Sequence, residues 1–444
     1  MIRKLWRPVA LAAGLTIASA GAAEVEIQRW QDESGADVLF VEAHELPIVD
    51  IQLTFDAGAA RDGDQPGLAR LTSNLLLEGT ERLDAGEIAR RFEAEGARVS
   101  TGSGRDMGVI SLRSLSRDEN LDAVVDHLAA VLTDPSFPQP ALERVRSQML
   151  VGLQRDLAQP SELGQKAFMD ALYRDHPYGI PPEGTPESLT AIGREDVVEF
   201  HRRYYVAANL TIAIVGDLSR ERAEEVAARL AGALPVGEPA PALPPVPARD
   251  SGEVIRIPFD SNQVHVLVGQ PAIARGDEAF YPLYLGNHIL GGSGLVSVLA
   301  RELREERGLS YSSYSVLAPA AREGRFQMGT QVRADAAGEA LDVLLDSLQR
   351  LRREGPTAQQ VDDAQRNITG SFPLALDSNA DLVGYVAMVG FYDLGLDYLD
   401  RFPDRIAALD AGDVREALQR QLHPDTMVTV LVGPESVIEA VDVE

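Results

Sequence analysis

The sequence predicts an α+β fold in two homologous domains, each a mainly antiparallel sheet with helices packed on it. A Pro-rich linker joins them. Three observations predict this. Between Leu234 and Ala248 six prolines fall in fifteen residues; each removes a backbone donor and fixes φ, leaving a stiff, extended connector. The order of strand and helix patterns before that connector repeats after it. Strand-like and helix-like spacings also come in clusters and not in strict alternation, which favours helices laid on an antiparallel sheet. The predicted organisation is a targeting segment over 1–23, a first domain over 24–233, a linker over 234–252 and a second domain over 253–444. Both domains are of ordinary size.

In the first half, Val49-Asp-Ile-Gln-Leu-Thr-Phe55 alternates as a half-buried strand does. Glu93-Ala-Glu-Gly-Ala-Arg-Val-Ser-Thr101 leads to a strand over 108–115. Leu121, Val125, Leu128, Ala129 and Leu132 fall at helical spacing and predict a helix over 120–132. A further helix contains Glu143 to Leu150. In the second half, Val264-His-Val-Leu-Val268 is the alternating strand, and Arg304-Glu-Glu-Arg-Gly-Leu-Ser-Tyr-Ser312 leads to a strand over 324–332. A helix over 336–351 carries Leu341, Leu344, Leu345, Leu348 and Leu351, and another contains Val361 to Ile368. Asn209 to Gly216 and Met427 to Gly433 are apolar runs ending in Gly, and read as the buried strands that close each half.

Charge excludes several partner classes. The chain has 41 basic and 68 acidic residues, a net charge of −27. Such a surface repels phosphate backbones and anionic lipid heads, so nucleic acid and peripheral membrane are not expected partners. The lysines are Lys4 and Lys166, so arginine supplies nearly all the positive charge. Cysteine is absent, which excludes disulfides and a cysteine-linked lipid anchor. Met1 to Arg7 is basic, Pro8 to Ile17 mostly apolar, and Ala18 to Ala23 rich in small residues. This is the pattern of a secretory signal peptide with cleavage near Ala22 or Ala23, and a periplasmic location is expected. The alternative, an uncleaved anchor helix, has a short apolar stretch for a span of about 20 residues.

The most informative stretch is Gly67-Leu-Ala-Arg-Leu-Thr-Ser-Asn-Leu-Leu-Leu-Glu-Gly-Thr80. It resembles the zinc helix of the pitrilysin/insulinase metallopeptidases, whose pattern here would read Gly-Leu-Ala-His-x-x-Glu-His-Met-Leu-x-x-Gly-Thr, the inverted zincin motif. The frame is kept at Gly67, Leu68, Ala69, Leu76, Gly79 and Thr80. Arg70, Ser73 and Asn74 stand at the positions of His, Glu and His. Zinc takes imidazole, thiolate or carboxylate donors in a near-tetrahedral set, and a permanently cationic Arg beside a hydroxyl and an amide supplies none.

The resemblance runs through nearly all of residues 37–433. His176-Pro-Tyr-Gly, Gly184-Thr-Pro-Glu-Ser-Leu, Tyr204-Tyr, Asn209 and Val215-Gly-Asp follow in the family's order. Leu290-Gly-Gly-Ser-Gly and Leu303-Arg-Glu-Glu-Arg-Gly-Leu-Ser-Tyr311 follow in the second half. It implies two homologous domains per chain and two such chains forming a clamshell around a chamber that cuts unfolded or short peptides. The family's third metal ligand, a Glu on a downstream helix, falls near Val151. All metal ligands and the base are therefore replaced, and no cofactor is expected on this chain. The seven histidines include no pair three to five apart, so no helical two-His clamp exists. His176 reads as structural, and His127 and His288 as core or interface groups. A serine mechanism at Ser73 lacks any sign of a His base and an orienting acid.

Arg304 and Tyr311 survive. In active relatives an Arg and a Tyr at this spacing grip the substrate beside the scissile bond. Arg offers a rigid fork of donors to peptide carbonyls, and a Tyr hydroxyl can donate to a developing oxyanion. A helix ending at Arg307, a turn at Gly308 and a strand from Leu309 would bring both to one wall. The plain alternative is a solvated helix face and a tyrosine packed in the sheet. Gly291-Gly-Ser-Gly lacks the Lys of a phosphate cradle and reads as backbone room for close packing. The first reading of function is the non-catalytic, substrate-binding subunit of a heterodimeric zinc peptidase, with zinc in a homologous partner chain. The alternatives are a structural or peptide-holding relative without a role in cleavage, and a stand-alone peptidase with a displaced metal site.

Overall fold

The computed structural model describes residues 25–443; the predicted signal peptide lies outside the described residues. The first sheet holds β1 (Gln28–Gln31), β2 (Asp37–Glu42), β3 (Ile48–Phe55), β4 (Arg98–Ser103), β5 (Gly108–Leu115) and β6 (Leu210–Gly216). Their order is β1-β2-β6-β3-β5-β4. The second holds β7 (Glu253–Pro258), β8 (Gln263–Pro271), β9 (Ser310–Ala318), β10 (Arg325–Arg333) and β11 (Val428–Gly433), in the order β7-β11-β8-β10-β9. Without β1 the two orders are the same. In each, the pair β2–β6 or β7–β11 is parallel and the remaining pairs are antiparallel. The fold is the predicted α+β pair of homologous domains.

The inner face of each sheet is covered from its own half. Ile51 faces Leu112 and Ile214 across the ladders, and this set packs with Leu71 and Leu75 of the helix Leu68–Leu75 and Leu121, Val125 and Leu128 of the helix Asp118–Thr133. The second core repeats the arrangement, with Val266 and Met328 against Leu341, Leu344 and Leu348 of the helix Ala337–Glu354. Among the described residues no helix is long and apolar enough to cross a membrane.

The outer faces are covered reciprocally. The helix Pro160–Tyr173, from the first half, lies on β8 and β11 of the second sheet. Its Phe168, Met169 and Leu172 cluster with Leu267, Val428, Val430 and Val432. The helix Asn379–Phe391, from the second half, lies on β2, β3 and β6 of the first sheet. There Val383, Val386 and Val389 cluster with Leu39, Val41, Ala213 and Val215. β6 and β11 are therefore buried on both faces, which is why they read as apolar runs interrupted only by Thr211 and Thr429.

Each exchanged helix uses a glycine at its closest approach. A Cβ on Gly164 would meet the Val432 Cγ2 at 3.0 Å. One on Gly390 would meet the Thr211 Cγ2 at 2.7 Å and collide with buried Leu39. A polar knot ties the halves beside these contacts. The buried Asp106 carboxylate accepts from the Tyr178 hydroxyl at 2.6 Å, the Tyr392 hydroxyl at 3.0 Å and the Ala321 N–H at 2.9 Å. Burial and the adjacent Asp106 charge push both tyrosine pKa values up.

Residues 235–249 contain no helix or strand and lie across both domains as a strap. Pro241 O accepts from Arg61 at 2.7 Å and Pro244 O from His176 at 2.9 Å on the first domain. On the second, Leu243 O accepts from Arg322 at 2.6 Å and the Val246 N–H donates to Glu323 at 3.1 Å. His176 has the structural role read from the sequence: its Nδ1 accepts from the Tyr178 N–H at 3.1 Å, while Nε2 donates to the strap.

Two substitutions on one helix test the exchange. Gly390→Val should lower the unfolding free energy by about 1–3 kcal/mol through overpacking. Gly384→Ala, where a Cβ meets nothing within 4 Å, should raise it by about 0.5–1 kcal/mol by removing backbone entropy. Urea titration of both variants measures the contrast, and equal effects would contradict it.

Candidate functional site

The helix Leu68–Leu75 begins at Gly67 in the left-handed region, φ 91°. A Cβ there would stand 2.9 Å from the Gly184 Cα, and Gly184 is itself left-handed at φ 79° with Pro66 O close to where its own Cβ would be. The two glycines face each other, so the Gly67-Leu-Ala and Gly184-Thr-Pro motifs form one joint. Asp62 completes it. Its buried carboxylate accepts from the Gly67 and Ala69 N–H groups at 2.7 Å each, satisfying helix donors that have no intrahelical partner. Burial pushes its pKa up to about 7, and the backbone donors pull against that shift.

The positions at which the family holds its metal split into two directions. Arg70 is part-exposed, its guanidinium 3.0 Å from Glu183 in an ion pair. Asn74, one turn on, is exposed, and so is Val151 on the adjoining helix Gln139–Leu157. Ser73 points inward and is fully buried. Its Oγ lies against the Tyr205 hydroxyl, which is buried with it. His201 stacks on Tyr205 with ring centroids 5.1 Å apart, and burial lowers its pKa to about 4. An ion-paired guanidinium, an amide and an alkyl group facing solvent do not fit zinc, whose sites need anionic or imidazole donors converging on one point. Among the described residues no group of three or more His, Asp or Glu is placed to hold a metal ion.

The second domain brings Arg304 and Tyr311 together. Gly291 packs its backbone against Ser315 of β9, too close for a Cβ, as the small-residue loop predicts. A short helix, Val298–Ala300, continues into a π-helical turn, Arg301–Glu306. Such widened turns recur at functional sites. Glu302 is buried inside this turn and binds Arg307 at 2.8 Å and Arg350 at 2.7 Å, fixing its orientation. Gly308 reverses the chain at φ 62°. The Arg304 guanidinium then lies 5.0 Å above the Tyr311 ring, and Tyr311 is 84% exposed on the edge strand β9. Tyr311 does not pack in the sheet.

Residues 37–185 match the family model described as insulinase, peptidase family M16, and residues 191–368 match the peptidase M16 inactive domain. A solved structure of a peptidase M16 inactive domain from Pseudomonas fluorescens is 38% identical, covers 92% of this chain and 98% of its own, and superposes with a TM-score of 0.90. The chain belongs to the insulinase-type peptidase family. A protease structure from Helicobacter pylori shares the fold at TM-score 0.84 and 19% identity, covering 92% of this chain and all of its own. An uncharacterized zinc protease of Streptomyces coelicolor is 26% identical over 83% of this chain and 81% of its own length. A non-peptidase homolog from Helicobacter pylori is 24% identical over 90% and 93%. This chain is a non-catalytic member of the family, with the frame kept and the donors gone.

Asp62, Glu183 and Glu302 have no motif of their own and were not legible in the sequence; their roles come from what lies beside them. Asp62 gives a direct test. The unfolded carboxyl ionises near pH about 4, and the folded one near about 7. Between those values the folded state holds a proton that the unfolded state has released, so this group's contribution to stability falls as pH rises. Asp62→Asn keeps an acceptor and cannot titrate. The stability of the wild type relative to this variant should fall by on the order of 2–4 kcal/mol from pH 4 to pH 7, read by urea unfolding. Parallel pH curves would refute it.

Proposed function

We propose that this protein is the non-catalytic, substrate-binding subunit of a periplasmic, heterodimeric zinc peptidase. A homologous chain supplies zinc and the water-activating base; this chain supplies half of a peptide-enclosing chamber. The observation that carries the reading is the asymmetry between the domains. The first keeps a tightly built helix frame around Arg70, Ser73 and Asn74, where no metal fits. The second presents an exposed tyrosine stacked under an arginine, a pair with donors available to a peptide carbonyl.

Under this reading Arg304 orients substrate and Tyr311 donates to the oxyanion formed in the partner's active site. Their stacking holds the phenol without covering its hydroxyl side, and the arginine charge favours the anion that develops. Peptides bind in extended form. β4 beside the degenerate helix and β9 beside Arg304 are both sheet edges, and an added strand satisfies their unpaired backbone groups.

The purified chain should bind no stoichiometric zinc by metal analysis and leave an unfolded peptide intact. Addition of the zinc-binding partner should restore cleavage. Tyr311→Phe should then reduce kcat by on the order of 10²-fold, the cost of one lost oxyanion donor, and Arg304→Ala should act at least as strongly, with the pair still assembled on size exclusion. Wild-type turnover in both variants would remove their assigned role. Equal cleavage by the partner without this chain would favour the peptide-holding alternative.

A further inference from the structure

A cavity of about 220 Å³ opens between the loop around Arg275 and the segment from Tyr392 to Arg405, away from the degenerate helix. Three arginines line it. Arg401 is paired with Asp397 at 3.1 Å, and Arg405 with Glu278. Arg275 differs: it lines the cavity and makes no ion pair with a carboxylate among the described residues. The guanidinium is held by aromatic residues instead, 5.5 Å over the Phe280 ring and 5.7 Å over the Tyr392 ring, with the Tyr398 hydroxyl as its hydrogen-bonding neighbour. A cavity-lining guanidinium without a carboxylate partner keeps its fork of donors for an anion.

We propose that this cavity binds a small monocarboxylate with a flat apolar body, its carboxylate on Arg275 and its body among the aromatic rings. Arg presents a fork matched to a carboxylate, and the rings supply apolar contact. The charge of the lining sets the valence. Of the four lining carboxylates, Asp393 is paired with Arg29, Asp397 with Arg401 and Glu278 with Arg405. This leaves Asp277 beside the single positive charge of Arg275, so a monoanion is matched better than a dianion. The volume sets the size. It lies below the usual range of about 300–1,000 Å³ for drug-sized ligands, which limits the occupant to one residue or a small aromatic acid. A peptide's C-terminal residue and a free aromatic acid share this chemistry. The site is independent of the proposed pairing with a zinc chain.

The test is calorimetric titration of the full mature chain, with thermal unfolding as a second readout. The probes are N-acetylphenylalanine, N-acetylphenylalaninamide, phenylacetate and inorganic phosphate. At least one of the two carboxylates should bind and raise Tm, while the amide and phosphate bind more weakly by about tenfold or more. Preference for N-acetylphenylalanine identifies a peptide terminus, and preference for phenylacetate a free acid. Arg275→Gln should weaken binding by about tenfold or more. Arg275→Lys, which keeps the charge and loses the fork, should lie between. Arg202→Gln, at an exposed position of the first domain outside the cavity lining, should bind as the wild type does. If Arg275→Gln does not fold, the lysine variant and the acid–amide comparison decide. Equal binding of acid and amide, no binding of either acid at millimolar concentration, phosphate as the tightest ligand, or unchanged affinity in Arg275→Gln would each overturn the assignment.

Discussion

The exchange of covering helices is the constraint on which the rest depends. Each sheet has a core built by its own half and an outer face closed by the other half's helix. The strands on those faces, β6 and β11, are buried throughout and apolar but for Thr211 and Thr429, so removal of either helix would expose a largely hydrophobic surface to water. Fully burying side chains of this size contributes about 1.5–3 kcal/mol each. That sum dwarfs the few hydrogen bonds of the strap and of Asp106. Packing therefore joins the domains, and the polar contacts set their angle. Asp106 touches the β4–β5 loop's own domain, the β9–β10 loop and the end of an exchanged helix at once, so a shift in any one strains the others.

This rigid base explains how a metal helix can lose its metal and remain in place. The joint between Gly67 and Gly184 and the capping by Asp62 hold the helix Leu68–Leu75 without any contribution from a bound ion. Replacement of a charged base by Ser73 at a buried position removes a carboxylate that would otherwise need a compensating cation. Arg70 and Glu183 satisfy each other at the surface, where such a pair contributes little to stability. The frame is thus a structural element first. Its chemistry was an addition that could be withdrawn.

Much of this was legible in the chain. The strand over 108–115 and the helices around Leu121 and Leu341 show themselves because a sheet period of two and a helix period of 3.6 are local. The Arg304–Tyr311 approach was legible because Gly308 marks the reversal between them. What was not legible is non-local. The helices that carry Phe168 and Val386 each cover the sheet of the other half, and no local period records that pairing. The π-helical turn at Arg301–Glu306 inserts its extra residue without a sequence mark. Asp62 and Arg275 look like ordinary charged loop residues until the fold brings helix donors to one and sets the other among aromatic rings with no carboxylate paired to it.

Reciprocal cover also governs the order of events during synthesis. When β6 leaves the ribosome, the segment that will shield it has yet to be translated, and β11 is made last although its cover is made early. The amino-terminal half must wait in a sticky, incomplete form until nearly the whole polypeptide exists. Truncation anywhere before Phe391 therefore leaves the outer face of the first sheet uncovered and an aggregation-prone fragment in place of a smaller working protein.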